Sequence, residues 1–252
     1  MKPIDIFIGA YLRPQYTGKT IKYLKERTKY PYRLFLLDNG GNEQFKNEVD
    51  YYVGMSKNFG VHGLWNMALA LAESEYFITS DNDIYVPALS HGAAKYDGEK
   101  ATETFSDDWL TRIVKYMDER SDYGAISLHP HVIIGNVSED PNDLEDVKEV
   151  DHAGAVMRIM RTQLIRDIGG WEHVIRPQRN GEEKWISSKI RDAGYKVGRT
   201  TRIRAYHPFG NNWGYDESIT PEMQGHRPDL KDYVKQFDNP DAYDEKTWLP
   251  KI

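Results

Sequence analysis

Between residues 4 and 83, short apolar runs alternate with helix-compatible stretches, and the runs give way to polar turns. Ile4–Ala10 and residues 33–37 read as strands and 51–53 as a short third one, while 76–80 has the length and the β-branched or aromatic content of a buried strand. Residues 17–28 set Ile21 and Leu24 against a Lys/Arg-rich opposite face, and Pro31 lies just beyond, where a helix has ended. A second helix, entered around Gly60 and Gly63, carries Leu64, Met67, Ala68, Leu71 and Ala72 on one apolar stripe. Such alternation predicts an α/β fold with an open, mainly parallel sheet. Ligands of these sheets gather beyond the carboxyl ends of the strands, where Asp38-Asn39-Gly40-Gly41 and Asp81-Asn82-Asp83 both stand.

The later part is less regular. Residues 88–104 read as a loop, Ser106 offers an N-cap for a helix to about residue 120, and residues 123–128 and 155–160 read as strands. Residues 130–150 lose all periodicity and collect Glu139, Asp140, Asp143, Glu145, Asp146 and Glu149; they read as a solvated excursion, with a lid ordered on binding as the alternative. A short helix over 162–168 ends at Gly169-Gly170, and the segment 225–252 is a polar, Pro-punctuated tail.

At 252 residues the chain suffices for one catalytic domain, here 1–224 followed by the tail. The mean hydropathy of -0.70 and the lack of a bilayer-length apolar run argue against an integral membrane segment. The amino-terminal run reads as a strand and not as a signal peptide, since Asp5 interrupts it. The absence of cysteine removes thiolate chemistry and Cys-ligated zinc, and is compatible with a cytoplasmic site of action, with peripheral membrane contact left open. A net charge of -6 speaks against nucleic acid as the default partner.

Asp81 and Asp83, one position apart at a strand's end, are placed to face a single cation, and carboxylate oxygens are the ligands Mg²⁺ and Mn²⁺ prefer. The same three residues also suit a plain polar turn. Context separates the readings. The ordered set Tyr11-Leu12-Arg13-Pro14, Leu37-Asp38-Asn39-Gly40, Asn58-Phe59-Gly60 with Asn66-Met67-Ala68, and Asp81-Asn82-Asp83 resembles the nucleotide-binding half of family 2-like glycosyltransferases with a GT-A fold. Ile168-Gly169-Gly170-Trp171-Glu172, then Gly181-Glu182-Glu183 and Lys189-Ile190-Arg191-Asp192-Ala193-Gly194-Tyr195, is similar to that family's acceptor-side pattern.

The resemblance implies a Rossmann-like three-layer α/β/α domain. Residues 1–105 would bind the nucleotide-sugar, and 106–224 would form the acceptor and catalytic half, with a small acceptor-side subregion. It implies a donor-binding set of Ala10, Tyr11, Arg13, Asp38, Asn58, Gly60, Asn66, Asp81, Asn82 and Asp83, with Asp38 on the base. Asp83, Asp81 and His207 would hold Mn²⁺ or Mg²⁺. The base that deprotonates the acceptor would be Glu183, with Glu182 as the alternative; the family usually has Asp where Glu183 stands, and Trp185 occupies a position where another acid is common.

The activity so implied is metal-dependent transfer from a nucleotide-sugar, a UDP-sugar being favoured, to a glycan or other hydroxyl acceptor with inversion. Trp171, Trp185 and Trp213 are candidate sugar platforms, each singly better suited to a core, and Arg202 and Arg204 are candidate phosphate contacts or, equally, members of a solvated strand face. A sugar nucleotidyltransferase would need a Gly-rich loop after the first strand, where Tyr11-Leu12-Arg13-Pro14 stands. A phosphohydrolase would carry its acidic pair after the first strand. A non-catalytic nucleotide-sugar or carbohydrate binder would have no need of a base.

Overall fold

The computed structural model describes residues 2–56, 58–87, 108–132, 146–172 and 181–207. The expected loop at 88–104, the Ser106 cap, Trp213 and the tail at 225–252 lie outside them, as do residues 133–145 of the acidic stretch.

The elements run β1 (Ile4–Ala10), α1 (Pro14–Arg27), β2 (Tyr32–Asp38), β3 (Tyr51–Gly54), α2 (Gly60–Leu71), β4 (Tyr76–Asp81), α3 (Trp109–Glu119), β5 (Tyr123–Val132), β6 (Val147–Glu149), β7 (Arg158–Arg161), α4 (Thr162–Asp167), α5 (Gly181–Asp192) and β8 (Lys196–His207). They form one sheet in the order β3-β2-β1-β4-β7-β5-β8-β6, in which only β6 and β7 run against the rest. The sheet is therefore mixed but mainly parallel.

Both faces are covered. Ile4, Ile6 and Ile8 of β1 pack with Ile21 and Leu24 of α1 and with Ile113 and Met117 of α3. Phe7 lies in the opposite layer with Leu64 and Trp65 of α2, Ile165 of α4 and Ile186 of α5. This alternation along β1 is the two-residue period of a strand buried on both sides, and it yields a three-layer α/β/α fold.

Several boundaries differ from the sequence reading for local reasons. Helix α1 begins at Pro14, whose missing N–H costs nothing in a first turn. The buried stripe of α2 is Leu64, Trp65, Ala68 and, just past its end, Ala72, while Leu71 is exposed. The rotation follows from Gly9: a Cβ there would lie 2.7 Å from the Trp65 ring, so the absence of a side chain lets the indole rest on β1. Helix α3 is capped by Asp108, whose Oδ1 accepts from the Thr111 N–H at 2.7 Å. Within the stretch read as aperiodic, Val147–Glu149 pairs antiparallel with β8. Of the run at 155–160 only the end, from Arg158, joins β7; Met157, at φ 47, sits in the left-handed region just before it.

Candidate active site

Register brings the parallel strands' carboxyl ends together. Ala10 lies beside Asp38, and Gly9 beside Asp81. The loop leaving β1 passes Leu12 and Arg13, both at φ 54, a left-handed conformation that costs about 1–3 kcal/mol per non-glycine residue. That strained turn places the Arg13 guanidinium 3.2 Å from Asp83 Oδ2. On the other side His207, the last residue of β8, sets Nε2 3.4 Å from Asp83 Oδ1.

Two more carboxylates enter from the first turn of α5. Glu182 is buried and meets the buried Arg158 at 3.4 Å; Arg158 also donates to the Ala153 carbonyl and lies over the Trp171 ring. Glu183 is half-buried, and one oxygen accepts from the Ala155 N–H at 3.1 Å.

Electrostatics distinguishes these groups. Asp81 is pushed well above the usual carboxylate range, first by burial, then by the charges of Asp83 and Glu182, against an opposing pull from His207 that exceeds the further push from Glu183. Asp83 is held below that range: burial works against its charge, but His207 and Arg13 outweigh it. His207 is raised, since Asp83 and Asp81 overcome the cost of burying its charge. Glu183 is raised by burial and by Glu182, with Arg158 and the Ala155 N–H opposing. The edge thus concentrates negative charge that the cations among the described residues only partly balance.

The rest of the expected donor set forms a frame around this edge. Asp38 accepts from the Gly40 and Asn42 N–H groups, from the Asn42 side-chain amide and from the Tyr52 hydroxyl. A carboxylate has about four lone-pair sites, so in this arrangement all are taken. Thr17 donates to Asn42 Oδ1 at 2.7 Å and accepts from the Asn82 amide at 2.8 Å. Asn82 also donates to the Leu12 carbonyl, tying three strand ends into one buried network.

Asn58 caps the turn into α2 by accepting from the Gly60 N–H at 2.8 Å, with Gly60 at φ 69. Asn66 grips the Trp171 backbone at both its N–H and its carbonyl. A Cβ on Gly170 would lie 2.7 Å from Asn66 Oδ1, which accounts for glycine there. Ala10 is buried, and Tyr11 lies half-buried alongside Gly40. Trp171 is a core residue and presents no platform; Trp185 is half-buried beneath Lys189, and Arg204 donates to the Thr201 carbonyl.

Arg158 was not anticipated as part of this site. Its signal was a lone cation inside the apolar run at 155–160, a position that demands a partner. No group of three or more His, Asp or Glu side chains among the described residues is placed to hold a metal ion, so the expected trio of Asp81, Asp83 and His207 is not gathered as one ligand set.

Residues 5–93 match the model of Glycosyl transferase family 2. Among solved structures, TarS of S. aureus superposes with a TM-score of 0.60 at 14% identity, covering 82% of this chain and 60% of its own. The mannosyltransferase PcManGT of Pyrobaculum calidifontis, in complex with GDP-Man and Mn²⁺, gives 0.59 at 12% identity over 83% of this chain and 58% of its own. GalNAc-T7 with UDP, GalNAc and Mn²⁺ gives 0.65 at 14% over 97% and 48%.

The fold is that of a family 2-like, GT-A type glycosyltransferase. The family model covers residues 5–93, and the chain spans about 60% or less of the length of the three structures. No curated protein sequence matches it. No helix among the described residues is long and apolar enough to cross a membrane.

Proposed function

We propose that the chain transfers a sugar from a nucleoside-diphosphate donor, a UDP-sugar being favoured, to a hydroxyl acceptor with inversion. The observation that carries the reading is the convergence at one sheet edge of Asp83, flanked by Arg13 and His207, with the half-buried Glu183. Similar structures support this donor class: TarS was solved with UDP-GlcNAc and PcManGT with GDP-Man and Mn²⁺. On this reading the halves 1–105 and 106–224 serve donor and acceptor respectively, and the site of action is cytoplasmic.

The residues present suit Mn²⁺ or Mg²⁺ as part of a shell. Asp83 and Asp81 bring oxygens and His207 an imidazole nitrogen, and the excess negative charge that raises Asp81 is what a cation would relieve. Such ions are commonly held by one or two carboxylates while the substrate's phosphates and water complete the coordination. Asp83 and His207 would hold the ion, with Asp81 beside them. Bound there, a divalent cation would supply Lewis-acid stabilisation of the departing diphosphate.

The chain's own groups perform the rest. Arg13 presents a guanidinium to the diphosphate oxygens, for which its fork is a geometric match. Glu183, with one oxygen held by Ala155, uses the other to accept the proton of the acceptor hydroxyl. The acceptor oxygen then forms its bond to the anomeric carbon as the bond to the diphosphate breaks, its electron pair leaving with the diphosphate. Glu182 is a positioning residue: its pairing with Arg158 anchors the first turn of α5.

Glu183→Gln tests the reading. Turnover should fall by about 10²–10⁴-fold, the usual contribution of a general base, while UDP affinity measured by calorimetry with Mn²⁺ is retained. Unchanged release of UDP in the presence of acceptor would move the base elsewhere.

A further inference from the structure

A cavity of about 590 Å³ lies at the outer edge of the sheet, away from Asp83, and is lined by Glu149, Val150, Asp151, His152, Arg191 and Arg199. Its size falls in the range of small-molecule sites. Arg199 stands two positions after Val197, on the face of β8 that packs with Ile186 and Ile190 of α5. It is half-buried, and its side chain forms no hydrogen bond or ion pair among the described residues. Burial weighs against its charge, and no acid among the described residues offsets that cost. Arg191, exposed near the end of α5, is likewise unpaired among the described residues.

The acids of the rim do not neutralise these cations. Glu149 lies 3.9 Å from Lys196, and Asp151 is exposed and pairs with neither arginine. Arginines withdrawn from water elsewhere in this chain do have partners: Arg33 meets Asp5 at 2.7 Å, and Arg158 meets Glu182 at 3.4 Å. A guanidinium set in a concave wall without its counter-charge is suited to receive one from a ligand, and its planar fork matches an oxyanion.

The cavity adjoins the acceptor side of the site. His152 is two residues from Gly154, where a Cβ would lie 3.2 Å from Glu183 Oε1, and its charge acts on Glu183. Arg191 and Glu183 share α5, with about 12 Å of helix rise between them.

We propose that this cavity binds an oxyanion carried by the acceptor, a carboxylate or phosphate group on a saccharide whose hydroxyl reaches Glu183. The word acceptor rests on the transferase reading; the anion site itself does not. Calorimetry on the full chain, with and without UDP and Mn²⁺, would compare glucuronate, inorganic phosphate and neutral glucose. One or both anions should bind in preference to glucose, and the tighter of the two identifies the source of the charge.

Arg199→Gln and Arg191→Gln should each weaken that binding by about tenfold, the loss of a charge-assisted pair, while Arg13→Gln leaves it unchanged. Binding of neither anion, equal binding of glucose, loss in Arg13→Gln instead, or affinity unmoved in the two cavity variants would overturn the proposal. Should Arg199→Gln fail to fold, Arg191→Gln at its exposed position decides. Donor binding without anion binding removes this site alone, whereas Arg199-dependent anion binding without donor binding leaves the site and removes the transferase reading.

Discussion

Asp5 and Asp81 are strand aspartates on neighbouring strands, at opposite edges of one sheet, and they have opposite fates. At the amino edge, Asp5 is fully buried, yet it accepts from Arg33 at 2.7 Å and from the Glu73 and Ser74 N–H groups at 2.8 and 3.0 Å. Burial pushes its carboxyl up, but these donors outweigh it and hold the group below its usual range. At the carboxyl edge, Asp81 is driven up by burial and then by the charges of Asp83, Glu182 and Glu183 around it. The first carboxylate belongs to the fold's stability. The second is held at a cost the fold does not itself recover, as expected where a ligand completes the electrostatics.

The sharpest way to break this contrast is Asp83→Ala at the carboxyl edge. It should abolish transfer, by about 10³-fold or more, together with Mn²⁺-dependent binding of UDP, while shifting the melting temperature less than a change at Asp5. Full transfer activity in this variant would sink the donor-site assignment.

Asp5→Ala should do the reverse. It leaves two partly buried N–H groups and an arginine without their acceptor, a loss of about 3 kcal/mol, with UDP affinity intact; a denaturant melt alongside calorimetry reads both. The pH dependence sharpens the same point. Because Asp5 is lowered in the folded state, its contribution is present above about pH 4, the unfolded carboxyl value, and is lost as pH falls through the folded one. The stability difference between wild type and Asp5→Asn should therefore shrink on acidification; a constant difference would deny Asp5 this role.

The smallest effect is expected at Asp81. Asp81→Asn removes a carboxylate whose raised value opposes folding near neutral pH, and should stabilise the apo protein by about 1 kcal/mol while weakening donor binding. A lower melting temperature would show that Asp81 is part of the frame.

Much of this architecture was legible from local chemistry. Ile4–Ala10, Tyr32–Asp38 and Tyr76–Asp81 announce themselves by apolar runs stopping at acidic turns, and residues 5–93 match a family model. The later half was harder. Val147–Glu149 is a three-residue strand with two exposed members, too short to show a period, and it exists because β8 offers an edge. Leu71 and Trp65 exchanged places because a cross-strand glycine, remote in sequence, made room for an indole.

Side-chain partners were legible least of all. Asn66 reads as part of a nucleotide-binding motif, but in the fold it grips Trp171. Asp38 reads as a free acceptor, but four internal donors reach it.

The sequence alone determined which strands lie deep in the sheet and which turns end in carboxylates, because burial periodicity and turn chemistry act over a few neighbouring residues. Only the tertiary structure decided which carboxylates are neutralised and which are left charged against one another. Those outcomes depend on distances between residues as far apart as Arg13 and Asp83, or Asp83 and His207, and Coulomb and desolvation energies follow spatial separation and solvent exposure, not order along the chain.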